Sequence, residues 1–169
     1  MYYNLSQKMR ERSEELGTET LRQSFCDDQM QEHKMEHVNC IRGVQFINDS
    51  RSTNINSTWY TLEQMERPVI LLMGGVHKGC NYQMIYYLVK EKVKSIIAIG
   101  RENEKIIDAF GVLMEGIVET TDMREAVYIA FRNAKRGDVI LLSPACASFD
   151  VYENYEHRGR VFKKEVALI

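Results

Sequence analysis

No apolar run in the sequence approaches the roughly 20 residues that a membrane-spanning helix needs, so no span is expected. Cysteine is sparse: four residues, at 26, 40, 80 and 146, with no CxxC and no paired spacing. That pattern is neither a zinc site nor a disulfide framework, and reduced thiols of a cytoplasmic protein are the natural reading. With two prolines in 169 residues, the chain has few rigid breaks. The GxxxxGK[ST] of a phosphate-binding P-loop is missing, and so is the GxGxxG of a dinucleotide site. A strong excess of either charge is missing too, with 22 Lys and Arg against 24 Asp and Glu. A formal net charge of -2 argues against a general nucleic-acid or membrane-surface binder. Met1 is followed by polar, charged residues, without a secretory signal.

What is present is the composition of a soluble globular protein, 44% hydrophobic and 27% charged, in one domain or one domain plus an appendage. Residues 1–32 carry only a sparse apolar stripe, Leu5, Met9, Leu16, Leu21 and Phe25. They are expected to form a helix from about Asn4 to Leu16, with Gly17 just past its end, and a second from about Thr18 to Phe25. This piece is either a connector, the end of a neighbouring domain, or a plain N-terminal helix packed on the domain. From Met35 the pattern changes. Strand-like runs Met35–Ile41 and Val44–Ile47 flank Arg42-Gly43, a hairpin signal. A helix from near Thr53 then puts Ile55, Trp59, Leu62 and Met65 on one face. Apolar strands follow at Val69–Met73, Ser95–Ile99, Gly116–Val118 and Val139–Leu142. Helices are expected between them at Tyr82–Lys92, Glu102–Phe110 and Met123–Ala134, and after the last strand at Tyr152–Lys164. Continuously apolar strands alternating with helices indicate a doubly wound, mainly parallel, Rossmann-like α/β sheet with helices on both faces.

Such a fold gathers its loops at the carboxyl edge of the sheet, where ligands bind. Three polar loops qualify. Asn48-Asp49-Ser50-Arg51-Ser52-Thr53-Asn54 mixes an acid, a cation and hydroxyls ahead of a helix N-terminus, a favourable place for an anion; a solvated capping loop is the ordinary alternative. Gly74-Gly75-Val76-His77-Lys78-Gly79 allows close backbone approach and adds Lys78 as a point charge. Ser143-Pro144-Ala145-Cys146-Ala147-Ser148-Phe149-Asp150 offers small residues and two hydroxyls, or is simply a strand-to-helix turn. Together they suit an amino acid with two carboxylates. No nucleophile with its base stands out, so no catalytic residue and no metal ligand is assigned. Cys146 has no histidine near it in sequence and reads as a buried structural thiol.

These three motifs, followed by Asn154-Tyr155-Glu156-His157-Arg158-Gly159, occur in this order without large insertions from about Glu32 onward. In that order they resemble the C-terminal domain of the Mur ligases, and among these the members that add D-glutamate to UDP-MurNAc-L-alanine. The resemblance implies a bacterial cytoplasmic enzyme of peptidoglycan synthesis that uses ATP and Mg2+ in its full-length, three-domain form. Residues 33–169 would be the amino-acid-binding domain, and 1–32 the end of the central ATP-binding domain. By motif, Thr53, Lys78, Ser148 and Phe149 match the D-glutamate pocket, with Tyr155 beside them. Asp49 and Arg51 match the nucleotide-facing edge, Lys34 stands where an arginine reaches the ATP phosphates, and Asn4 stands near the adenine. Lys34, Arg51 and His77 replace the usual arginine, lysine and aspartate, and a phosphate-gripping arginine is not equivalent to lysine. An isolated domain of this kind is expected to be inactive and to bind no cofactor tightly. The alternative is a degenerate, non-catalytic paralogue that binds a small acidic ligand or a partner protein.

Overall fold

A two-residue hairpin opens the sheet. Arg42 and Gly43 both sit in the left-handed region, φ 51° and 81°, as a tight turn between twisted strands requires. They join β1 (Glu36–Ile41) to β2 (Val44–Asn48), the antiparallel pair of the sheet. The structure is a computed structural model describing residues 31–77, 79–114 and 116–169. The helices expected over Asn4–Leu16 and Thr18–Phe25, together with Asn4 and Lys78, lie outside the described residues.

Four further strands, β3 (Val69–Met73), β4 (Val93–Ile99), β5 (Val118–Thr120) and β6 (Val139–Leu142), complete a six-stranded sheet in the order β1-β2-β6-β3-β4-β5. All pairings except the hairpin are parallel. The chain moves outward from β3 to β5 and then returns to insert β6 between β2 and β3.

The strands alternate between two cores. Val69, Leu71 and Met73 of β3, with Val139 and Leu141 of β6, face one layer; Ile70, Leu72, Ile140 and Leu142 face the other. The first layer is covered by α1 (Ile55–Glu63), a 3-10 turn at Tyr82–Met84, α2 (Tyr86–Lys92) and α3 (Glu104–Phe110). The second is covered by α4 (Met123–Asn133) and α5 (Tyr155–Val166). Burial on both sides explains why β3 and β6 read as unbroken apolar runs. The doubly wound, mainly parallel fold expected from the sequence is the fold observed.

Three of the differences from the expected boundaries have a clear local reason. The helix expected from Tyr82 is broken at Ile85, whose φ and ψ of -104° and 0° separate the 3-10 turn from α2. The strand expected at Gly116–Val118 is shifted to Val118–Thr120, where it pairs with Ile97–Ile99. The last helix starts at Tyr155 rather than Tyr152, because Asn154 is extended and its side chain accepts from the His157 amide at 2.7 Å.

Candidate functional site

β2, β6 and β3 are adjacent and parallel, so the loops leaving their carboxyl ends lie side by side. The middle loop, Ser143 to Asp150, is bonded to both flanks. On one side the Ala145 amide donates to the Ser52 carbonyl at 2.9 Å, and the Asp49 amide to the carbonyl of Leu142, the last residue of β6, at 2.8 Å. On the other, the Gly74 amide donates to Pro144 O at 2.9 Å and the Val76 amide to Ala147 O at 2.8 Å. Gly75, at φ 127°, makes the second approach possible, since a Cβ there would run into the Ala147 carbonyl oxygen. Ala145, at φ 59°, holds a left-handed conformation without glycine's freedom, a strained position at the centre of the loop.

Asp49 fastens the first loop from inside. It is buried, and its carboxylate accepts from Thr61 Oγ1 at 2.7 Å, Ser143 Oγ at 2.8 Å and the Met35 amide at 3.2 Å. Burial pushes its carboxyl above the ordinary aspartate range, against the opposing pull of hydrogen bonds from Ser52, Thr61, Ser143 and Met35.

Arg158 on α5 joins two loops at once. Buried, it donates from Nε to Ser50 Oγ at 3.1 Å, from Nη2 to Ser50 O at 3.0 Å and from Nη1 to Cys146 O at 3.2 Å. Burial lowers its pKa to about 10. One turn position on, Gly159 leaves room for the buried His33 ring, which a Cβ would strike. His33 Nδ1 accepts from Asn48 Nδ2 at 2.9 Å; the same amide also donates to Glu36 Oε2 at 2.9 Å, and Lys163 holds Glu36 Oε1 at 2.7 Å. Sequence reasoning assigned no role to Ser50, Arg158 or Gly159. The only signal was their presence in the matched motifs.

Cys146 is buried, as expected, yet it is not alone. The loop after β3 turns back and brings His77 Nδ1 to 3.4 Å and Cys80 Sγ to 3.8 Å from its sulfur. No histidine is near Cys146 in sequence, but His77, 69 residues away along the chain, is adjacent in space.

The family model described as "Mur ligase, glutamate ligase domain" matches residues 33–146. The chain belongs to this Mur ligase family. It is 52% identical over 148 residues to the UDP-N-acetylmuramoylalanine--D-glutamate ligase of Christiangramia forsetii, covering 88% of this chain and 33% of that protein. It is 49% identical over 134 residues to the ligase of the same name from Cytophaga hutchinsonii, covering 79% and 30%. The chain therefore spans about a third of the length of these relatives. The crystal structure of MurF ligase from Thermotoga maritima in complex with ADP superposes with a TM-score of 0.51 at 17% identity, over 82% of this chain and 32% of that one. That likeness supports the shared fold.

Within this Mur ligase domain the described pocket candidates Thr53, Ser148 and Phe149 stand on the loops after β2 and β6, and Tyr155 opens α5. Thr53 is half-buried just ahead of Asn54, the N-cap of α1, and its amide donates to Arg51 O at 2.8 Å. Ser148 is buried, and its carbonyl accepts from the Val151 and Tyr152 amides, at 3.2 and 2.8 Å. Phe149 is 66% exposed at the loop tip. Tyr155 begins α5 half-buried, with the His33 ring edge-on at 6.3 Å. A hydrogen bond with Glu156 raises the Tyr155 pKa, while the charge of Arg51 pulls it down, so Arg51 and Tyr155 share one neighbourhood. Arg51 is exposed and Lys34 half-buried, whereas Asp49 is enclosed. Among the described residues, no helix is long and apolar enough to cross a membrane.

Proposed function

We propose that residues 33–169 are the amino-acid-binding domain of a cytoplasmic, ATP-dependent ligase that joins D-glutamate to UDP-MurNAc-L-alanine in peptidoglycan synthesis, with 1–32 the end of the preceding ATP-binding domain. The observation that carries this reading is the hydrogen-bonded set of three loops at the sheet's carboxyl edge, in a chain 52% identical to a D-glutamate ligase. In this reading the Thr53 and Ser148 hydroxyls and the Phe149 amide donate to the carboxylates of D-glutamate, Lys78 pairs with one of them, and Tyr155 flanks the ligand. Fixing both carboxylates leaves the amine as the free end, oriented toward the activated carboxyl of its partner. Asp49 would act indirectly, holding Ser143 and the helix that follows Thr53. Arg51, Lys34 and Asn4 would face the nucleotide.

ATP would supply the phosphoryl group that activates the acceptor carboxyl; the P-loop that cradles such a group is absent from this sequence. Magnesium takes a shell of oxygen ligands. Among the described residues, the group of acidic, histidine or cysteine side chains close enough to share an ion is His77, Cys80 and Cys146, which does not fit magnesium.

The test is a calorimetric or NMR titration of the chain with D-glutamate. Weak binding is expected, because closure over the substrate needs the other domains. Lys78→Ala should abolish it; unchanged affinity in that variant refutes the pocket. A chimaera carrying this chain behind the first two domains of an active relative should form the amide. A folded but inactive chimaera, beside an active parent, supports the non-catalytic paralogue instead.

A further inference from the structure

The loops after β3 and β6 gather His77, Cys80 and Cys146 so that one ligand atom from each lies within 4.8 Å of the others. Cys80 Sγ and Cys146 Sγ are 3.8 Å apart, and Cys146 Sγ is 3.4 Å from His77 Nδ1. Zinc bonds of about 2.3 Å to sulfur and about 2.0 Å to nitrogen give tetrahedral edges of about 3.8 Å between sulfurs and about 3.5 Å between sulfur and nitrogen. These two separations match those edges, and the third pair, Cys80 Sγ and the His77 ring nitrogen, lies within 4.8 Å.

The imidazole is also set up for a metal. His77 Nε2 lies 2.7 Å from the Glu102 carbonyl oxygen. A carbonyl only accepts, so Nε2 carries the proton and Nδ1 keeps its lone pair, 3.4 Å from Cys146 Sγ. An outer hydrogen bond of this kind is what fixes tautomer and ring orientation in metal-binding histidines. Tyr82 Oη, 2.6 Å from Nδ1 and 3.4 Å from Cys146 Sγ, bonds that lone pair in the ion-free site, so an ion takes Nδ1 by displacing this hydroxyl. None of these residues belongs to the proposed D-glutamate pocket, although His77 and Cys80 bracket Lys78 in sequence.

We propose that His77, Cys80 and Cys146 form a binding site for a zinc-class cation, which clamps the loop after β3 to the Ser143–Asp150 loop. Two thiols and an imidazole select zinc or a similarly soft ion over magnesium or calcium. Binding exchanges protons for metal: each cysteine gives up its thiol proton to solvent, two protons leave per ion, and both sulfurs donate as thiolates. Because both thiols must lose their protons to bind, affinity should increase with pH.

The same atoms also form an ion-free hydrogen-bond ladder, with the Cys80 thiol donating to Ala145 O at 3.4 Å and the Tyr82 hydroxyl to His77 Nδ1. The test separates the two. The full chain, reduced with a phosphine, is titrated with Co2+ and then with Zn2+. Expected are one equivalent of cobalt with thiolate-to-metal charge-transfer and tetrahedral visible bands, displacement by zinc, and release of two protons. X-ray absorption of the wild-type zinc form should show two sulfur scatterers and at least one nitrogen. Cys80→Ser and His77→Ala alter half-buried positions, and circular dichroism checks their folding. Each should weaken binding by more than about 100-fold, the upper range for losing an outer-shell partner alone. Cys40→Ser should leave it unchanged. Three results would overturn the site: no stoichiometric uptake, binding unaffected by Cys80→Ser, or a shell without sulfur. So would a Cys80–Cys146 disulfide that, once reduced, leaves a chain unable to take up the ion.

Discussion

Arg158 brings a full positive charge into the interior and uses it on uncharged acceptors: Ser50 Oγ, Ser50 O and Cys146 O. The planar guanidinium reaches both loops at once, a geometry that a lysine ammonium cannot reproduce. Arg158→Ala would leave the two carbonyls buried without these donors. The expected loss is about 3 kcal/mol, on the basis of about 1–3 kcal/mol for each buried group stranded. Urea unfolding measures it, and a loss below about 1 kcal/mol would mean that water replaces the guanidinium easily. Arg158→Lys should recover only part of the difference. The sequence made Arg158 visible as a motif letter but not as a link, because its partners lie 12 and 108 residues away.

At the scale of elements, the join between the loops after β3 and β6 depends on backbone contact. Gly75→Ala should destabilise the fold by at least about 2 kcal/mol, combining a left-handed φ with a clash against Ala147 O. Thermal and urea unfolding together test this, and a stability equal to wild type would show that the loops can separate freely. The end of α5 offers a milder case. Removing the Asn154 cap by Asn154→Ala should cost about 1 kcal/mol, read from the same unfolding curves. How legible each element was follows from the same physics. Val69–Met73 and Val139–Leu142 were readable to the residue because burial on both faces demands unbroken apolar runs. Tyr152 looked helical by composition, yet its amide and that of Val151 close a turn on Ser148 O, so α5 waits for Asn154. Of the candidate site, the three loops were legible as polar punctuation after apolar strands. The approach of His77 to Cys146 was not, since it arises only when β6 inserts beside β3.

For the molecule as a whole, two carboxylates pull its stability in opposite directions as pH changes. Glu36 is raised by burial, but Lys163, the His33 amide and Asn48 together outweigh this and hold it below its ordinary range. Its ionised form is therefore favoured by folding, and the contribution is complete above the ordinary glutamate value and lost as pH falls through the folded one. Asp49 behaves inversely. Its folded pKa lies above the ordinary aspartate value, so between the two the native state keeps a proton that the unfolded chain has released. Stability from Asp49 accordingly falls as pH rises through that window and stays lower beyond it. The reason it is retained is geometric: it ties β2's loop to Thr61 on α1 and to Ser143 after β6. Two variants isolate the terms. The wild-type advantage over Glu36→Gln should shrink as pH is lowered below the ordinary glutamate range. The wild-type advantage over Asp49→Asn, which keeps the shape and accepting oxygen, should shrink as pH is raised above the ordinary aspartate range. Unfolding free energies measured across acid to neutral pH give both differences, and two slopes of the same sign would refute the assignment of opposite shifts to these two groups.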